Sequence, residues 1–241
     1  MRAAIVTGAA SGIGLATTRR LVAEGWSVVA ADIDLRRLAH ELDASSTCRL
    51  EPVDVTDEAS VRALFTASVA AFGTLNAVAH VAGISVLEDQ RIEDVSEEVF
   101  NAVLDVNLRG TFLMTKHAIQ PLRLAGGGAI VNVGSVASLR GLGGTAYVSS
   151  KHGVLGLSRA VAFQYAAEGI RCNVVAPGAT QTPLLDRVRQ KRSVIVTDPP
   201  GALAGAATAD EVASVIAFLL SDEARFVTGA TYTMDGGLTQ Y

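Results

Sequence analysis

Only two cysteines occur in the 241 residues, Cys48 and Cys172, and they stand far apart in stretches that read as strands. No metal-ligand spacing involves them, so both are expected to be buried structural thiols and no metal is expected. Basic residues are not in excess either. The net charge of -4 removes any electrostatic reason to expect nucleic acid or an anionic membrane as a partner. The one dense basic stretch is Arg187, Arg189, Lys191 and Arg192. No apolar run reaches the length of a membrane span. The first strand begins almost at Met1, leaving no room for a signal or transit peptide, so a cytoplasmic protein is expected. Linkers, repeats and low-complexity segments are missing as well. What is present is apolar substance: 49% hydrophobic against 18% charged residues describes a compact globular chain. One α/β domain over residues 1–241 is the economical reading.

Short apolar runs alternate with helical stretches along the whole chain. Ala3–Thr7, Ser27–Ala31, Cys48–Pro52, Leu75–Val81, Ile130–Gly134, Arg171–Ala176 and Ala230–Met234 read as strands. Their alanine and valine content, with few charges, suits strands buried on both faces. Helices are expected over Gly12–Glu24, Asp34–Leu42, Asp57–Phe72, Phe100–Leu124, Thr145–Ala167 and Ala209–Ser221. Glycines at 25, 73, 126 and 169 mark helix ends, and Asp57 and Thr208 are N-cap candidates. Strand–helix alternation implies a parallel sheet with helices on both faces, doubly wound by right-handed crossovers.

Thr7-Gly-Ala-Ala-Ser-Gly-Ile-Gly14 joins the first strand to the first helix. Gly8 permits a tight turn, Gly12 lets backbone approach a pyrophosphate at the helix N-terminus, and Gly14 allows close helix–strand packing. Ser11 and Ile13 lie in the same loop. At the end of the second strand stands Asp32, a carboxylate that can accept hydrogen bonds from adenosine ribose hydroxyls and would repel a 2′-phosphate. No arginine or lysine in the glycine loop offsets it, which favours NAD over NADP. Arg36 and Arg37 are expected on the outer face of the next helix, and Asp34 is expected to cap that helix. Asp54 and Val55, after the third strand, are candidates for adenine contact, with a plain loop or cap role as the alternative for Asp54.

Tyr147 and Lys151 are one helical turn apart and project from one face. An ammonium beside a phenol favours the phenolate, making the tyrosine an acid and base usable near neutral pH. Ser135 precedes Tyr147 by twelve positions, just after the apolar run Ala129–Val133. Serine, tyrosine, lysine and a glycine loop, in this order, point to hydride-transfer chemistry.

Together these residues resemble the short-chain dehydrogenase/reductase family, and the likeness covers essentially the whole chain. It rests on the glycine pattern of Thr7–Gly14, on Asn107 in Asn-Leu-Arg-Gly, on Ser135, and on Tyr147 with Lys151. It extends to Pro177-Gly178, Thr182 and the closing Asp235-Gly-Gly237. The resemblance implies a Rossmann-type fold and an NAD-dependent oxidoreductase acting on a secondary alcohol or its ketone. Ser135 would bind the substrate oxygen and Tyr147 would move the proton. Lys151 would bind the nicotinamide ribose, Asn107 would hold a water linking Lys151 to solvent, and Thr182 with the backbone after Pro177 would fix the carboxamide. An NADPH-dependent reductase of the same fold and a non-catalytic NAD(H)-binding regulatory protein are the alternatives. A homotetramer is implied too, and Leu108, Phe112, Leu113, Leu155, Leu157 and Phe163 exceed one core-facing stripe on their helices.

Three departures from the family pattern stand out. His80-Val-Ala-Gly83 replaces Asn-Asn-Ala-Gly, which keeps Gly83 for close cofactor passage but removes the asparagine contacts that brace the central sheet; His80 is expected to be a hydrogen-bonded core residue. The loop from Ser135 to Tyr147 is one residue shorter than is common, which leaves Ser138 as an alternative serine. The region after Pro183 lacks the usual leucine-glycine stretch. A substrate lid is expected around 183–207, with its arginines or Arg140 as candidates to grip a substrate carboxylate.

Overall fold

The computed structural model describes residues 2–186, 203 and 205–240. The basic stretch Arg187–Arg192 and most of the expected lid lie outside the described residues. Seven parallel strands form one sheet: β1 (Ala3–Thr7), β2 (Ser27–Asp32), β3 (Cys48–Pro52), β4 (Ala77–His80), β5 (Gly128–Val133), β6 (Ile170–Pro177) and, last in the chain, β9 (Thr231–Met234). Their order is β3-β2-β1-β4-β5-β6-β9. The two strands between, β7 (Thr180–Gln181) and β8 (Ala207–Thr208), form a separate parallel pair that the sequence reading did not anticipate.

The central strands are buried on both faces, as their alanine and valine content requires. Val6, Val28, Ala79 and Val131 pack on one side of the sheet, and Ile5, Val29, Val78 and Ile130 on the other. Helices α1 (Gly12–Ala23) and α2 (Leu35–Glu41) follow β1 and β2, and α3 (Glu58–Phe72) follows β3. The caps are local and were legible: Asp34 accepts from the Arg37 N–H, and Asp57 from the N–H groups of Ala59 and Ser60. Thr208 and Glu211 form a reciprocal box at the start of α7 (Ala209–Leu220).

One expected helix is broken. Phe100–Leu124 is in fact α4 (Glu97–Leu104), a π-helical turn over Asp105–Arg109, and α5 (Gly110–Leu124). Ser96 caps α4, so the helix starts earlier than the apolar pattern suggested. The turn lies where the chain approaches Val55 so closely that a Cβ on Gly110 would come within 2.9 Å of it. There the Thr111 hydroxyl donates to the Asn107 carbonyl at 2.6 Å. Apolar periodicity runs on through such a turn, so the pattern cannot reveal it. The long helix α6 (Thr145–Tyr165) matches its expected start.

Connections from β1 run outward to β2 and β3, and then return to β4 on the other side of β1. The crevice at the carboxyl ends of β1 and β4 is therefore the switch point, where open α/β sheets bind their ligands.

Candidate active site

A cleft of about 480 Å3 opens at that switch point. Its floor is the glycine loop. Gly8 has φ of +67° and sits against the Ala82 backbone, where a Cβ would lie 2.9 Å from the Ala82 nitrogen. Gly14 packs so tightly under the turn that a Cβ would come to 2.1 Å of the Gly8 carbonyl oxygen. The cradle thus exists because these positions carry no side chain, and the N-terminal amides of α1 face it. Ser11, Gly12 and Ile13 line it as expected, with Asp54 and Val55 on the far wall and Gly83 toward the catalytic side. Thr182 forms the roof: its methyl would lie 3.0 Å from a Cβ on Gly12.

Asp32 does more than face the cleft. One carboxylate oxygen accepts from the Ala10 N–H at 2.9 Å and the other from the Asp34 N–H at 3.0 Å. It therefore ties the glycine loop to the β2 end, and each oxygen keeps a lone pair for a further donor. Asp54 has the local loop role, accepting from the Thr56 amide and hydroxyl, and it also lines the cleft. Arg37 departs from its expected outward position: it is half-buried and lines the cleft beside Asp34, whereas Arg36 is exposed.

Behind Gly83 the expected polar residues gather. Ser135 follows β5 and Tyr147 with Lys151 sits on the first turns of α6. Asn107 is buried in the π-helical turn. The Lys151 ammonium lies 5.7 Å from the Tyr147 ring centroid and donates to the Val133 carbonyl at 2.9 Å. A Cβ on Gly83 would stand 3.4 Å from Lys151 Nζ and 3.2 Å from Asn107 Oδ1, so this glycine is the door between cleft and cluster. Asn107 Oδ1 accepts from the Ile84 N–H, and Nδ2 donates to the Ile84 carbonyl and to Ser150 Oγ. Both amide hydrogens are committed, and the side chain joins the segment after Gly83 to α6. Ser150 in turn donates to the Tyr147 carbonyl. That serine was not singled out from the sequence, although its place one residue before Lys151 is the only local hint.

Burial sets the protonation of the cluster. It raises the Tyr147 phenol above its ordinary value, with Ser135 as a hydrogen-bond partner pulling the other way. It lowers the Lys151 ammonium to about 8. The net direction at Tyr147 is thus opposite to the lowering expected from an adjacent lysine, because desolvation of the phenolate outweighs the partner. The two serines share one short helical turn after β5. Ser138 Oγ is buried and accepts from the Ser135 N–H at 3.2 Å, and Ser135 Oγ accepts from the Ala137 N–H at 3.1 Å; of the two, Ser135 is the one that acts on the Tyr147 phenol.

His80 is the buried, hydrogen-bonded residue expected. Its Nδ1 lies 2.8 Å from Thr7 Oγ1, which also accepts from the Val81 and Ala82 amides. With both lone pairs of the hydroxyl so engaged, its proton goes to Nδ1, which assigns the Nε2–H tautomer. The lost asparagine brace is therefore replaced: Thr7 and His80 lock β1 to the chain leaving β4. Burial, then the charge of Lys151, holds the His80 pKa down at about 3.

Other expected residues fall outside the cleft. Pro177 ends β6, and Gly178 packs on Asp235, where a Cβ would meet it at 3.0 Å. Arg140, a candidate for a substrate carboxylate, donates instead to the Thr239 carbonyl at 2.7 Å and anchors the C-terminal segment. Among the described residues no group of His, Cys, Asp and Glu is placed to hold a metal ion, and no helix is long and apolar enough to cross a membrane.

Known proteins resemble this chain in sequence and in overall fold. A family model described as Enoyl-(Acyl carrier protein) reductase matches residues 8–239. The chain is 38% identical over 243 residues to a cyclohexanol dehydrogenase of Acinetobacter sp. (strain SE19), covering 99% of this chain and 95% of that one. It is 40% identical over 246 residues to a cis-4-hydroxycyclohexanecarboxylate dehydrogenase of Sinomonas cyclohexanicum, covering 99% and 96%. Among solved structures, a short-chain type dehydrogenase/reductase from Mycobacterium ulcerans superposes with a TM-score of 0.91 at 32% identity, over 98% of this chain and 89% of that one.

Proposed function

The chain belongs to the short-chain dehydrogenase/reductase family, whose members bind a nicotinamide cofactor, and from that premise we propose an NAD-dependent dehydrogenase interconverting a secondary alcohol and its ketone. The observation that carries the reading is the cluster itself: Ser135 against the Tyr147 phenol, with Lys151 5.7 Å from its ring, behind a glycine-floored cleft. The relatives named for cyclohexanol and for a hydroxycyclohexane carboxylate make a ring-borne secondary alcohol the substrate class to try first.

The cofactor fits the residues present. Gly8 and Gly14 let the turn fold tightly against Ala82 and under α1, Gly12 lines the cleft at the start of α1 where a pyrophosphate would sit, and Asp32 has free lone pairs for ribose hydroxyls. Asp54, Val55 and Gly83 would wall the nucleotide, and Thr182 would close the nicotinamide end. When bound, the nicotinamide supplies or takes up the hydride. Ser135 orients the substrate oxygen, Tyr147 gives or takes its proton, and Lys151 holds a positive charge close by. Asn107 keeps the segment after Gly83 in register with α6. Phe112, Phe163 and Phe226, exposed on the surface, support a homotetramer. Two free, buried thiols suit a reducing cytoplasm.

The test of cofactor choice compares kcat/KM for NAD and NADP with cyclohexanol and with cis-4-hydroxycyclohexanecarboxylate. NAD is expected to be preferred, since a carboxylate facing a 2′-phosphate is a like-charge contact. Equal or better values with NADP would overturn the assignment. The position of Arg37 on the cleft wall favours the NADPH reading as the second one. If that reading holds, Arg37→Ala lowers kcat/KM with NADP and leaves NAD little changed. NADH binding with no turnover on any alcohol or ketone tried would instead point to the regulatory reading.

A further inference from the structure

Helix α6 carries both Tyr147 and Lys151, yet its first turn has no cap of its own. The N-cap residue is Gly144, which has no side chain to offer. The open amides are satisfied from far away in sequence. Ala146 N–H donates to Asp89 Oδ1 at 2.8 Å, and Tyr147 N–H donates to Asp89 Oδ2 at 2.7 Å. The neighbouring Gln90 carbonyl accepts from the Thr145 N–H at 3.3 Å and from its hydroxyl at 3.0 Å. Asp89 is only 1% exposed. Its place depends on Gly144, where a Cβ would fall 2.2 Å from the Asp89 carbonyl oxygen and 2.4 Å from Oδ2.

Asp89 belongs to the segment that leaves Gly83. Ile84, Ser85 and Val86 of that segment line the cleft, and Asn107 grips Ile84. One buried carboxylate therefore joins a wall of the cleft to the backbone of the acid/base tyrosine. A carboxylate is favoured at a helix N-terminus, and charge-assisted bonds to two amides fix its geometry.

We propose that Asp89, seated in the space left by Gly144, is the positioning residue that sets the placement of Tyr147 and holds the cleft wall to α6. It acts through the tyrosine's backbone amide, 2.7 Å away. A misplacement of about 1 Å at a reacting group can cost roughly 10²-fold in rate. This inference rests on the dehydrogenase reading, and its test keeps the two apart. If the wild type turns over no alcohol or ketone, that reading fails first.

The experiment uses Asp89→Ala, Asp89→Asn and Gly144→Ser. It measures kcat, substrate KM and NADH binding by fluorescence. Asp89→Ala is expected to lower kcat by about 10²-fold with NADH binding kept. Asp89→Asn is expected to fall between, because its amide oxygen still accepts one N–H while its NH2 opposes the other. Gly144→Ser collides with Asp89 and loses activity. Normal kcat in Asp89→Ala overturns the proposal. So does a parallel loss of turnover and NADH binding, which marks a merely structural role. If Asp89→Ala does not fold, Asp89→Asn decides by the same criteria.

Discussion

Tyr147 and Lys151 respond to burial in opposite directions, the phenol upward and the ammonium down to about 8. Both shifts have one cause, since a buried site disfavours whichever form is charged. Lys151 is still mainly protonated at neutral pH, and its ammonium rests on the Val133 carbonyl rather than on the phenol oxygen. The two residues therefore have separable duties. Tyr147→Phe removes only the hydroxyl and is expected to cut turnover by roughly 10²–10⁴-fold, the usual share of a general acid or base, with NADH binding retained. Lys151→Ala is expected to weaken both. A fluorescence titration with NADH beside a steady-state assay reads the two effects. If the phenylalanine variant lost less than about tenfold, the hydroxyl would not be the proton carrier.

At the scale of elements, the carboxyl ends of β1, β4 and β5 carry a polar row, Thr7, His80 and Asn132, in register across three strands. His80 is closed off from water and stays neutral, and its pKa of about 3 lies below the ordinary 6.5. The sign of the consequence follows by linkage. Between these two values the unfolded chain binds a proton that the folded chain refuses, so stability rises with pH there. The contribution is fully present above about pH 6.5 and is lost as pH falls toward 3. One proton corresponds to a slope of at most about 1.4 kcal/mol per pH unit. His80→Asn should flatten the acid side of the profile, whatever it does to stability at pH 7. Urea melts of both proteins at several pH values in this window check it. Equal slopes would mean that His80 is not the titrating group.

For the whole molecule, the open question is what covers its exposed aromatics. Of the residues expected to exceed one core stripe, Leu113 and Leu155 lie in the core, and Phe112 and Phe163 are the exposed ones at 46% and 90%. Phe226 is 99% exposed and joins them. Rings of this size left in water favour subunit contact. Light scattering at micromolar concentration is expected to give a tetramer, and Phe163→Asp to shift the population to smaller species. A monomeric wild type contradicts the assembly.

What the amino-acid sequence determined by itself was everything carried by near neighbours along the chain. The strands, the Asp57 and Thr208 caps, the glycine cradle and the Tyr147–Lys151 spacing all depend on contacts within a turn or on the alternation of apolar residues. Even the family resemblance is a string of such local patterns. Only the tertiary structure decided the rest, because each remaining feature joins residues distant in sequence or depends on exclusion of water. Thr7 meets His80 across 73 positions, Asp89 meets Tyr147 across 58, and Arg140 is taken by Thr239 across 99. The π-helical turn at Asn107 answers to the close approach of Gly110 to Val55, which no periodicity records. The phenol's net shift had the sign of burial rather than of its nearest charge, since desolvation is a property of the packed cluster and not of a four-residue spacing.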